Sequence, residues 1–87
     1  MIAVRDTQLE SWTKTRKILG SRQLEVLEVV RVRGGAAGFE VASVLHRETY
    51  TVLPRITELA EQGFLRDSGR RVWNRETKRR VIVWESV

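Results

Sequence analysis

The sequence predicts a small α+β domain in which three helices precede a C-terminal β-hairpin, with an extra helical segment at the N-terminus. From Ser21 to Gln62, apolar residues recur at helical spacing in three segments separated by a glycine pair and a tight turn. After Gly63 the period changes to two. In "RVIVWE", Arg80, Ile82 and Trp84 take one face and Arg79, Val81, Val83 and Glu85 the other. Charge marks the same boundary. "RDSGRRVWNRETKRR", Arg66 to Arg80, holds seven arginines and lysines against Asp67 and Glu76, and 7 − 2 = +5 is the net charge of all 87 residues.

The first segment, residues 1–20, is expected to pack on a domain spanning 21–87. Thr7 with Glu10 three residues on has the spacing of a capping box, and Leu9 and Trp12 share a helical face, which predicts a short helix around 7–16. Ser21 is the expected cap of the next helix. Gln23, Val26, Leu27 and Val30 form its core stripe, and Gly34 and Gly35 stop it. Leu24, Val29 and Val32 lie off that stripe and need a second cover. The set Leu9, Trp12, Ile18 and Leu19 is one candidate and a second copy of the chain is the other, so a homodimer stays open.

A short helix is predicted over 39–45 with Val41, Val44 and Leu45 inward, then "HRE" as a tight connection. The third helix, 49–62, buries Val52, Ile56, Leu59 and Ala60 and ends at Gly63. Pro54 has no N–H and disfavours helical geometry at Leu53. It is tolerable only near the first turn, which predicts a start at Thr49–Thr51 and a tight or bent opening turn. "FLRD" and "RRVW" are expected to pair with "RVIVWE" around a tip at Asn74–Lys78. Val26, Leu27, Ile56, Leu59 and Ile82 then form one core.

A chain of 87 residues makes one small domain. It has no cysteine, so disulfides and thiolate metal sites are excluded, in keeping with a reducing compartment. "MIAVRDTQLE" lacks a signal-peptide core and no run approaches a membrane span, so the expected location is the cytoplasm. His46 has no spaced ligand set, "RGGAAG" lacks the lysine and preceding strand of a phosphate loop, and no triad spacing occurs. A non-enzyme with neither metal nor cofactor is expected. A pI near 10.7 makes nucleic acid the leading partner class.

Helix, short helix, tight turn, helix and basic hairpin is the order of a winged helix-turn-helix domain. Through "RQLEVLEVV", "RITELAEQGFLRDSGRR" and "VIVWE", the chain from Ser21 to Glu85, about three-quarters of its length, resembles the winged-helix DNA-binding domains of the MarR and ArsR regulators. It also resembles small single-domain winged-helix proteins of bacteriophages and prophages, through "RDSGRR" followed by a terminal "VIVWE". The resemblance implies a third helix in the major groove of double-stranded DNA, with Tyr50, Thr51, Pro54, Arg55 and Glu58 facing the groove. It also implies a wing whose Arg70, Arg71, Arg75, Lys78, Arg79 and Arg80 grip phosphates.

A step of about 100° per residue puts Tyr50, Pro54, Glu58 and Glu61 opposite the core, with Thr51 and Arg55 beside them. Two readings of this face stay open. Arg55 suits a guanine edge in a DNA-binding regulator or accessory factor, but equally an i, i+3 pair with Glu58. Glu58 and Glu61 repel phosphate and suit a protein-docking module in phage replication, packaging or transcription machinery. Trp12, Trp73 and Trp84 are expected to pack. For Trp73, near the hairpin, stacking on a base is the alternative.

Overall fold

The computed structural model describes residues 19–87, so the helix expected at 7–16, with Thr7, Leu9 and Trp12, lies outside the described residues. Within them, helices α1 (Ser21–Arg33), α2 (Gly38–Leu45) and α3 (Thr49–Glu61) precede strands β1 (Leu65–Asn74) and β2 (Arg79–Ser86). The strands pair as one antiparallel hairpin. No helix among the described residues is long and apolar enough to cross a membrane.

Helix α1 buries Val26, Leu27 and Val30, as its periodicity requires. Its N-cap is Gly20 and not Ser21; the Gly20 N–H donates to Gln23 Oε1 at 3.0 Å, so the side chain one turn in satisfies the cap. Gly34 ends the helix in the left-handed conformation at φ 72°, and the Gly35 N–H donates to the Val30 carbonyl at 3.1 Å.

Helix α2 buries Gly38, Val41 and Ala42, while Leu45 packs half-buried against the core. Val44, expected inward, is 45% exposed. The helix is rotated so that its small residues meet α3: a Cβ on Gly38 would sit 2.5 Å from Leu53 Cδ2. His46 closes α2 at φ 55°, a left-handed position, and the Arg47 N–H donates to the Ala42 carbonyl at 2.9 Å.

In α3 the Thr51 N–H donates to the Glu48 carbonyl at 3.0 Å, three residues back, which is the tight opening turn that Pro54 predicts. The helix starts at Thr49, within the expected Thr49–Thr51, which leaves Pro54 inside its second turn. Its ring is exposed, and the helix continues because Val52, Ile56 and Leu59 are anchored on the buried side. The end falls at Glu61, with Gln62 as cap.

The hairpin starts where the Phe64 N–H donates back to the Leu59 carbonyl at 2.8 Å. Cross-strand partners run from Leu65↔Ser86 to Asn74↔Arg79, with a register shift between Asp67 and Arg71. At the shift, Gly69 takes φ 86° and its N–H donates to Asp67 Oδ1 at 2.8 Å. At the tip, Asn74 Oδ1 accepts from the Glu76 N–H at 3.0 Å, and the Asn74 carbonyl accepts from the Lys78 N–H at 2.8 Å. These bonds explain why a polar residue is buried at the tip.

One cluster joins the elements: Leu19, Val26, Leu27, Val30, Ala36, Val41, Ala42, Val52, Ile56, Leu59 and Leu65. Ile82, expected in it, is half-buried and stands outside; Leu65, with Trp84 against it, closes the sheet side. The reason lies in a contact between distant residues. Ala36 and Trp84 exchange two backbone hydrogen bonds, each 2.9 Å, which pins the base of β2 beside the turn after α1. Ile82 lies further along the arm, past that anchor.

Candidate nucleic-acid interface

The outward face of α3 carries Tyr50, 74% exposed, with Thr51, Pro54 and Glu61 also exposed. Arg55 and Glu58 are half-buried and engaged with each other. Arg55 Nε donates to Glu58 Oε1 at 2.7 Å and Nη2 to Oε2 at 2.9 Å. Gln23 Nε2, from α1, donates to the same Oε1 at 3.0 Å. The Arg55 guanidinium, then the Gln23 amide, holds the Glu58 carboxyl below its usual range. The one cation of α3 is thus neutralised within the helix, and no guanidinium of α3 stands free on this face.

Beside that pair, Arg22, Glu25, Arg47, Thr51 and Arg55 line a groove of about 380 Å³ between α1 and α3. Arg47, which stands in the turn before α3, donates from Nε to Glu25 Oε2 at 3.1 Å and from Nη2 to Oε1 at 3.3 Å. The sequence places Arg47 only in a connection. Its pairing with Glu25 depends on how α1 lies against the turn, which no local pattern encodes.

Cations on the hairpin divide into two groups. Arg66 reaches across to Glu85 at 3.1 Å. Arg71 is held by Asp67 through two bonds of 2.9 and 3.1 Å. The Arg71 guanidinium, with the Gly69 N–H, keeps Asp67 below its usual range. Arg70 Nη2 lies over Gly35, so close that a Cβ there would be 2.7 Å from it. Arg75, Lys78, Arg79 and Arg80 surround the tip, exposed and without an ion pair among the described residues. At the base of the basic stretch Arg66 and Arg71 are screened by carboxylates while Arg70 has no carboxylate partner among the described residues, and the tip is unscreened throughout.

Trp73 departs from expectation. It is 55% exposed, opposite Arg80 in the ladder and one residue before the tip. There it borders a cleft of about 510 Å³ between the hairpin tip and the α2–α3 connection. Trp84, by contrast, packs on the core as expected. No group of three or more histidines and acids able to hold a metal occurs among the described residues.

Comparison with known proteins finds no matching family model and no matching curated protein.

Proposed function

We propose that this chain is a winged-helix protein that binds double-stranded DNA, as a small regulator or accessory factor of the phage type. The hairpin acts as the wing. Arg75, Lys78, Arg79 and Arg80 lie on the phosphate backbone, and the exposed N-terminal half of α3, with Tyr50, Thr51 and Pro54, enters the major groove. The observation that carries this reading is the segregation of charge. Arg22, Arg33, Arg47 and Arg55 of the helical body are in ion pairs, whereas the cations at the hairpin tip have none among the described residues. Unpaired cations on a projecting element release counterions when they meet phosphate. The paired ones gain less, because a partner carboxylate must be displaced first.

The test is the salt dependence of binding to a random duplex, followed by fluorescence anisotropy. With about 4–6 phosphates neutralised, log K falls against log salt with a slope of roughly −4 to −5. Replacing Arg75, Arg79 and Arg80 by Ala and Lys78 by Gly flattens that slope. Glycine suits position 78 because Lys78 sits at φ 55°. An unchanged slope removes the hairpin from the interface.

A second reading is favoured by the acids of α3. Glu58 and Glu61 remain on a helix whose only cation is internally paired, next to the exposed Tyr50 and Leu53. Such a face suits a basic surface on a protein of phage replication, packaging or transcription machinery. Under that reading Glu58→Lys abolishes partner recovery in a pull-down, and DNA affinity does not fall.

A further inference from the structure

We infer that the cleft between the hairpin tip and the α2–α3 connection is a site for an unpaired nucleobase, stacked on Trp73. The inference rests on the nucleic-acid reading above and adds a specificity to it, namely preference for DNA with a single-stranded end or tail.

Trp73 is large, 55% exposed, and stands on the wing directly before the turn that carries the free cations. Hydrogen bonds from the Asn74 side chain and carbonyl organise that turn, so the ring is borne on a fixed support and not on a loose loop. The opposite wall comes from α2, with Phe39 and Ser43, and the space between is about 510 Å³. That lies within the roughly 300–1,000 Å³ typical of small-ligand clefts.

The charge of the lining separates base from phosphate. Arg75 and Arg47, the latter already paired with Glu25, line the cleft together with Glu48 and Glu76, so cations are not in surplus there. A phosphate site would carry a surplus of cations. An aromatic wall with balanced polar groups suits a base, whose π-face stacks and whose edge offers both donors and acceptors. The phosphates of the same strand need cations just outside. Arg80, the cross-strand neighbour of Trp73, and Arg79 beside it are placed there without an ion pair. A base that remains paired in a duplex cannot enter, because its faces are covered by its neighbours in the stack.

The experiment compares the full chain's affinity for a blunt random duplex and for the same duplex with a three-thymidine single-stranded tail, at one salt concentration. The tailed duplex is expected to bind about tenfold tighter, within the range for one base stacked on an aromatic side chain. Trp73→Ala removes the preference while leaving blunt-duplex affinity and its salt slope unchanged, since no charge is lost. Trp73→Phe keeps most of the preference, and equal melting temperatures show that both variants are folded. Blunt-duplex binding with no gain from the tail overturns this inference alone. So does an equal loss by Trp73→Ala on both substrates. Absence of binding to either DNA overturns the nucleic-acid reading and this one with it.

Discussion

Arg55 and Glu58 of α3 are joined by a two-bonded ion pair, at 2.7 and 2.9 Å, and Gln23 of α1 completes the set by donating to Glu58 at 3.0 Å. The guanidinium that sequence alone offers to a guanine edge is therefore oriented along the helix by its own neighbour. Any contact it makes with a base first requires that pair to open.

Removing the carboxylate without changing its shape tests this coupling. Glu58→Gln frees Arg55 and deletes a like charge near phosphate. Affinity for random duplex is expected to rise, with the salt slope steeper by up to about 0.9, the share of one added phosphate contact. Anisotropy titrations at several salt concentrations check it. Weaker binding by this variant would show that Glu58 itself contacts the DNA.

Arg71 provides the internal control for the hairpin. It belongs to the basic stretch but is held by Asp67, so Arg71→Ala is expected to change the slope by less than about half of the ~0.9 units expected for a fully engaged cation. Arg79→Ala, which removes an unpaired cation, should change it by nearly the full amount. Equal effects from the two would mean that the Asp67 pair opens on binding.

Acid stability depends on the same two carboxylates. Glu58 and Asp67 both titrate below their usual ranges, because Arg55 and Arg71 donate to their charged forms. A depressed folded pKa contributes stability that is fully present above the unfolded pKa, about 4, and is lost as pH falls through the folded value. Urea denaturation at stepped pH should therefore show Glu58→Gln and Asp67→Asn losing less stability than the parent as pH drops from about 5 towards 2. The Arg71–Asp67 pair is exposed and the Arg55–Glu58 pair half-buried, so the difference should shrink in molar salt, more for Asp67→Asn than for Glu58→Gln. A parent and variants that lose stability in parallel would show that the pairs do not persist in solution.

Leu59 has no exposed surface and belongs to the core cluster. Leu59→Ala should cost about 2–5 kcal/mol, a large share of the roughly 5–15 kcal/mol that holds a domain together. Ile82→Ala, outside the cluster, should lower the melting temperature by much less. The reverse order would place the core nearer the arm than the base of the sheet.

At Gly35 the backbone takes φ 133°, where L side chains are strained, and an added Cβ would meet Arg70 Nη2 at 2.7 Å and the Trp84 carbonyl oxygen at 3.4 Å. Gly35→Ala is expected to destabilise by more than about 1 kcal/mol in chemical denaturation. It also loosens the Ala36–Trp84 link, which hydrogen exchange at the Trp84 amide reports.

Local order was legible in the sequence because it is set by local interactions. The stripe Val26, Leu27 and Val30, the trio Val52, Ile56 and Leu59, the stop at Gly34 and the Asn74 turn each depend on residues within one or two turns of chain. The same holds for the concentration of charge between Arg66 and Arg80, and for the open choice between base contact and an internal pair at Arg55. What tertiary structure alone decided joins residues far apart in sequence. Ala36 meets Trp84, Gln23 meets Glu58, and Arg47 meets Glu25. These contacts determine which cations are neutralised and which side of each element is covered. That is why Val44 and Trp73, apolar residues expected to pack, stand in solvent, and why Leu65 and Trp84 close the core in place of Ile82. Periodicity specifies that an element has an apolar side. The rotation and placement of neighbouring elements, set by packing at Gly38 and by the hydrogen bonds at Ala36, select how much of that side is buried.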